Sequence, residues 1–558
     1  MNKYLAFLFA FLLCTGSFVT GISQQLESGP QVLSFHSEAD DTEQPYAIYI
    51  PEFFDDSKAY PVVIMLHGAG SNHRLALRRV FGKSNAEGET DVEASRYFPS
   101  WDHVPYIVAA PFARGTAGYQ GIPEQDVYAV LEDVKKRFKV DENRIYLTGL
   151  SMGGGGTLWL GLSRPDIWAA IAPVCPAPPQ GSSDLVGNAL NLPVHFFHGD
   201  ADPVVPIAGT RAMVEQMQEK GIFVQSEEYE GVQHDSWVNA YANGRLFEWL
   251  GQFERDPFPS KVSFSTRQLA YNKAYWVEIL QIEPGALASI DAEIISGKEL
   301  KITSQNIRSF QLSLANHPEV DAGDLLQIDI DGRKLRVAAQ DIISFYKDGP
   351  TWRPGNLIEQ GGLVKQKGLS GPIYEAFSYR HIYVFGTADS PTQEVLEQRR
   401  SLALEAANWS AYRGEFLGRI HFFPRVLADK EIRPSDLDSS HLILFGTTET
   451  NSVIKTLEND LPMHLSLEDE SLGMMYIYPR EGKLVVINSG KPWWGGNRPP
   501  GYSFTGPAQQ NLPRFKDFMI YRDNPDTILS EGYFDTYWKI TREQEAELKT
   551  IPSVHLKQ

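Results

Sequence analysis

The sequence predicts an α/β fold: a doubly wound, mostly parallel sheet, followed by a small antiparallel β unit and a second α/β accessory region. Three observations lead there. Continuous apolar runs at residues 60–66 and 105–111 suit strands covered on both faces. Stretches of helical spacing lie between such runs, as in Val127, Val130, Leu131, Val134 and Phe138. From about residue 261 the texture changes to short alternating strands without long helices, and beyond Gly371 it returns to α/β.

A chain of 558 residues is too long for one core, and the composition shifts divide it. We expect a signal peptide at 1–23, an α/β domain at 24–254, a linker at 255–260, an antiparallel β unit at 261–345 and an α/β accessory domain at 346–558. At the N-terminus Lys3 precedes the apolar residues 4–13, too few to span a membrane, and small residues follow. That pattern reads as a secretory signal cleaved near Gly21 to Ser23, hence a secreted or periplasmic protein. The bulky Leu13 before Cys14 speaks against a lipid anchor. Without the leader only Cys175 remains, so no internal disulfide is expected, and its apolar setting reads as a buried structural thiol. The net charge of −19 argues against nucleic acid and anionic membranes as partners.

In chain order, residues 44–51 alternate like a half-buried strand, and 60–66 run into His67-Gly68-Ala69-Gly70. Residues 124–138 form a helix with Glu124 and Asp126 in its first turn, where acids suit the dipole. Strands at 144–148, 168–174, 192–198 and 223–229 alternate with helices at 208–219 and 237–250. The segment Arg255-Asp256-Pro257-Phe258-Pro259 looks like a linker. Leu326-Gln327-Ile328-Asp329-Ile330 followed by Asp331-Gly332 predicts a tight hairpin. Residues 381–387 and 441–447 are similar strand-plus-turn segments, either two parallel strands of one sheet or a weak duplication, with a helix at 391–409 between them. Residues 474–478 and 483–487 read as a hairpin. The loop from Pro492 to Gly501 carries Trp493 and Trp494; it could stack on sugars, though aromatics more often fix such a loop to its own domain.

The chemistry centres on Gly149-Leu150-Ser151-Met152-Gly153, with a strand before it and a helix after it. This is the setting of a nucleophile elbow, where glycines permit the sharp turn and close backbone approach. An activated serine needs a base, and the base an orienting acid. His234, after the last predicted strand, can reach back over the sheet, whereas His195 and His198 belong to an earlier strand and read as packed. Asp200 and Asp202 compete for the acid in Gly199-Asp200-Ala201-Asp202-Pro203; turn placement favours Asp202 and makes Asp200 a turn former. The Met152 amide and, most simply, the Ala69 amide would form the oxyanion hole. No H-E-x-x-H, paired C-x-x-C or phosphate loop is present, so neither metal nor cofactor is expected.

Taken together, His67-Gly68-Ala69-Gly70, residues 144–154, residues 199–206 and His234-Asp235-Ser236-Trp237 resemble the α/β-hydrolase superfamily. The likeness covers residues 40–254 and is to secreted bacterial esterases of the feruloyl-esterase, acetylxylan-esterase and polyhydroxybutyrate-depolymerase type. It implies a serine carboxylic-ester hydrolase using Ser151, His234 and Asp202 on acetyl or feruloyl esters of plant or algal polysaccharide, or on related small esters. Gly371-Pro372-Ile373-Tyr374-Glu375-Ala376-Phe377 and Gly532-Tyr533-Phe534-Asp535 resemble the C-terminal extension of prolyl-oligopeptidase-like hydrolases, which makes a serine peptidase the alternative. Met152 departs from the aromatic that prolyl peptidases place after their nucleophile.

Overall fold

The structure is a computed structural model and describes residues 26–101, 103–320, 323–356, 363–411, 418–497 and 504–557. The expected signal peptide and part of the Trp493–Trp494 loop lie outside the described residues.

The first region is built on one eight-stranded sheet. Its strands are β1 (Gly29–Ser37), β2 (Thr42–Ile50), β3 (Tyr60–Leu66), β4 (Ile107–Pro111), β5 (Val140–Leu150), β6 (Ala170–Val174), β7 (Val194–Gly199) and β8 (Val224–Tyr229), in the order β1-β2-β4-β3-β5-β6-β7-β8. The pairs from β4 to β8 are parallel, and only β1 and β2 join antiparallel. The apolar runs are explained by two cores. On β3, Val62, Ile64 and Leu66 enter one core while Val63 and Met65 enter the other. The helix Ile122–Arg137 covers the first face with Val127, Val130 and Val134.

Glu124 lies in the first turn of that helix, as expected, and both it and Asp126 are buried and hydrogen-bonded. Asp126 accepts from Arg114 Nε at 2.6 Å, and Glu124 accepts from Tyr271 Oη at 2.6 Å and Trp159 Nε1 at 3.2 Å. One correction concerns residues 237–250. They form two short helices, Trp237–Ala240 and Arg245–Leu250, around a kink where Asn243 and Gly244 have φ of 55° and 70°. The kink follows the buried Tyr241, whose hydroxyl lies 3.0 Å from Thr148 Oγ1 under the sheet.

Residues 255–260 are pinned rather than loose: Arg255 NH1 donates to Asp166 O at 2.9 Å, and Trp276 Nε1 to Pro259 O at 2.7 Å. Beyond them lies a sandwich of two five-stranded sheets around one core. It is larger than the expected unit. Its strands continue to Pro354 because Trp352 belongs to the core, against Phe310. It also contains one parallel pair, Glu299–Ile302 with Gln327–Ile330, among antiparallel ones. The predicted hairpin is present, with Asp331 and Gly332 both at positive φ (52° and 85°), as a two-residue turn of that hand requires.

The last region has a seven-stranded mixed sheet. His381–Phe385 and His441–Phe445 are adjacent parallel strands of one sheet, paired in register. Leu472–Arg480 and Lys483–Gly490 form the hairpin. Trp493 is fully buried, its Nε1 donating to Ala508 O at 2.8 Å and its ring on Phe377 and Phe445. It therefore fixes its loop to the domain and offers no face to a sugar.

The regions are bound by buried polar links. Arg114, fully buried, joins Asp40, Asp126 and Ser37, each at 2.6 Å, and lies over the Phe422 ring of the last region. Arg380 grips both carboxylate oxygens of Asp41 at 2.6 and 2.7 Å.

A Cβ on Gly153 would lie 2.2 Å from Leu66 O. Gly153→Ala should destabilise the first region by about 1–3 kcal/mol or more, read as a lowered denaturant midpoint. Burial pushes Glu375 up to about 7 from 4.5, despite lowering hydrogen bonds from the Ser370 and Gly371 amides. The folded state thus holds a proton that the unfolded state releases between those values, so stability falls as pH rises through that window, by about 3 kcal/mol in all. Glu375→Gln should remove this loss: relative to wild type its Tm should be higher at pH 8 than at pH 5.

Candidate active site

Ser151 stands between β5 and the helix Met152–Ser163, with φ 55° and ψ −116°. Such a backbone is strained for a residue with a side chain, and the surroundings hold it. Ser151 N donates to Val174 O at 2.9 Å, and Ser151 O accepts from Gly155 N at 2.9 Å and Ala177 N at 3.1 Å. Four glycines make room. A Cβ on Gly149 would lie 2.4 Å from Gly153 O, on Gly154 2.4 Å from Val174 O, and on Gly155 2.0 Å from Ala177 O, besides the Gly153 contact with Leu66.

The loop after β3 passes over this turn. A Cβ on Gly68 would be 3.5 Å from Ser151 Cβ. His67 beneath it is fully buried, with Nε2 2.9 Å from Phe112 O, and burial lowers its pKa, so it serves as a neutral strut. Tyr119 Oη donates to His67 O at 3.0 Å, and Gly70 N to Thr116 Oγ1 at 3.0 Å. Ala69 therefore sits in a loop braced from both ends. The Met152 amide is the first of the helix and has no carbonyl one turn earlier to accept it.

His234 lies after β8. Its Nε2 is 2.9 Å from Ser151 Oγ and its Nδ1 2.7 Å from Asp202 Oδ2. The ring is about one-fifth exposed and meets Trp237 edge-on. Gly199 lets this loop in: a Cβ there would be 2.2 Å from Val232 O. The two competing aspartates separate by partner. Asp202 has a buried side chain, and its Oδ1 accepts from the Val204 and Val205 amides at 2.8 and 2.9 Å. Burial alone would raise its pKa, but the His234 bond and those amides outweigh burial and hold it below the usual carboxylate range. Asp200 is exposed and accepts from Gly231 N at 2.7 Å, closing the turn that carries the His234 loop.

The structure thus brings together Ser151, His234, Asp202, Met152 and the Ala69 loop, and leaves Asp200 outside the contact. His198 is more than a packed residue. Its Nε2 lies 2.9 Å from Val205 O and 3.3 Å from Asp202 Oδ2, with Nδ1 2.9 Å from Thr210 Oγ1. No spacing in the sequence marks that role; only the returning loop after β7 creates it.

Cys175 has φ 36° and lies behind Ser151, its thiol pushed up to about 12, chiefly by burial. With Asp202 and His234 it is the group among the described residues whose donor atoms, within 4.8 Å of one another, could meet a metal. The donor chemistry does not fit: the thiol stays protonated, and both His234 nitrogens are engaged, by Asp202 and Ser151.

Residues 123–243, which include Ser151, Asp202 and His234, match the Phospholipase/Carboxylesterase family. The chain is 25% identical over 201 residues to "Probable feruloyl esterase C" of Aspergillus terreus, covering 35% of this chain and 68% of that protein. It is 36% identical over 72 residues to Cutinase 1 of Thermobifida cellulosilytica, covering 13% of this chain and only 26% of the cutinase. Among solved structures it is similar to a thermostable esterase, at 28% identity and a TM-score of 0.33, over 40% of this chain and 63% of that one. The chain carries an α/β-hydrolase domain of the carboxylic-ester hydrolase kind.

Proposed function

We propose that the protein is an exported serine esterase in which Ser151 is the nucleophile, His234 the base and Asp202 its orienting acid. One observation carries the reading: the continuous line from Ser151 Oγ to His234 Nε2 at 2.9 Å and from His234 Nδ1 to Asp202 Oδ2 at 2.7 Å. In that line His234 Nε2 takes the hydroxyl proton as Oγ bonds to the ester carbonyl carbon. The developing oxyanion is stabilised by the Met152 and Ala69 amides. The carbonyl re-forms, the ester C–O bond breaks, and His234 returns its proton to the leaving alcohol. Water, deprotonated by the same imidazole, then releases the acid and restores Ser151. Asp202 remains ionised throughout and stabilises the imidazolium.

The substrates we infer are acyl esters, acetyl or feruloyl, of polysaccharide or of small alcohols. The support is the 68% coverage of a relative named as a feruloyl esterase, together with the leader-like residues 1–23. Esters rather than peptides are the expected class, because the family matched is one of carboxylesterases.

Turnover of p-nitrophenyl acetate should fall about a million-fold in Ser151→Ala and about ten-thousand-fold in Asp202→Asn, with Asp200→Asn far less affected. Near wild-type rates in Ser151→Ala, or a larger loss at Asp200 than at Asp202, would overturn the assignment. Preference for proline-containing peptide amides over acetyl and feruloyl esters would favour a peptidase instead.

A further inference from the structure

A cavity of about 670 Å³ lies where the hydrolase region, the sandwich and the last region meet. It does not include Ser151, His234 or Asp202. It follows the Met152–Ser163 helix to its far end, about 18 Å from the nucleophile at 1.5 Å per residue. Its size is that of a ligand site, and junctions between domains are where such sites form.

The walls are polar in a particular way. Gln120 and Gln180 come from the hydrolase and Gln268 from the sandwich, and their side-chain amides make no hydrogen bond to the described residues. Ser163 lines the cavity, is 1% exposed, and its hydroxyl has no partner among the described residues. An unmet buried hydroxyl costs free energy unless something bonds it. The aromatic part of the lining is held in place from behind: Trp159 and Tyr271 meet edge-on at 5.3 Å and both donate to Glu124. Ring surface beside amides and hydroxyls, each able to donate and to accept, matches a sugar ring, with its apolar C–H face and its rim of hydroxyls. Charge enters the lining through Arg267, paired with Asp184 at 2.9 Å, and through Arg514 at the exposed rim, a guanidinium that can donate to sugar hydroxyls.

We propose that this cavity is a binding subsite for a short oligosaccharide, separate from the ester-cleaving site and independent of how that site is assigned. A sugar seated there touches Gln120, next to the Tyr119 that braces His67, and places polymer alongside the elbow helix.

The test is calorimetric titration of the full-length protein with β-1,4-linked xylohexaose and, in parallel, cellohexaose. Saturable binding of at least one is expected. Ser183→Trp, at an exposed position of the lining, should fill the cavity and weaken that binding about ten-fold or more while leaving p-nitrophenyl acetate turnover unchanged. Gln180→Ala combined with Gln268→Ala should weaken it in the same direction without adding bulk. Saturation by neither hexasaccharide, or binding that survives both variants, would overturn the proposal. Because turnover is read separately, loss of esterase activity and loss of sugar binding are distinguishable failures.

Discussion

The arrangement rests on one steric constraint: backbone must meet backbone around Ser151. Gly149, Gly153, Gly154 and Gly155 each lie where an added Cβ would come within 2.4 Å of a carbonyl oxygen. Only that closeness lets β5 turn abruptly into its helix, and only the turn holds Ser151 at φ 55° with its hydroxyl facing His234. The strain is local and the restraint is not, because it comes from the ends of β3 and β6 and from the loop that follows β6.

A second group of contacts organises the loops around that turn. Gly199 at the end of β7 admits the Val232–Gln233 backbone, Asp200 closes the turn at Gly231, and Asp202 points inward to His234. His198 ties the same loop back through Val205. Residues 198–202 thus position a single carboxylate against His234. Its lowered pKa is the electrostatic result: amides and an imidazole outweigh the upward push of burial.

The other two regions are not appended at a distance. Arg114 is buried among Asp40, Asp126 and the Phe422 ring, and a strand-like bridge joins Gly115 to Ile420. The segment carrying these contacts, 112–121, also carries the Tyr119 that braces His67. The last region therefore bears on the loop that holds Ala69. The sandwich grips the other side of the hydrolase through Asn188, which bonds the Ser265 backbone in both directions.

What the sequence determined by itself was everything written in local pattern. Apolar runs such as 60–66 marked strands buried on both faces, and the Asp331-Gly332 turn and the Gly149–Gly153 elbow were legible because their residues permit few other backbones. Ser151, His234 and Asp202 could be named from their order along the strands. Only tertiary structure decided what a residue's partner is. Glu124 and Asp126 could be placed in a first helical turn, but Tyr271 and Arg114, their partners, come from elsewhere in the chain; Trp493 could be read as the anchor of its loop, but not that Phe377 and Phe445 are what it packs on. The cavity shared by three regions had no sequence signal at all. The reason is physical: period and turn chemistry act over a few residues, whereas burial and hydrogen-bond partners are set by groups tens to hundreds of residues away.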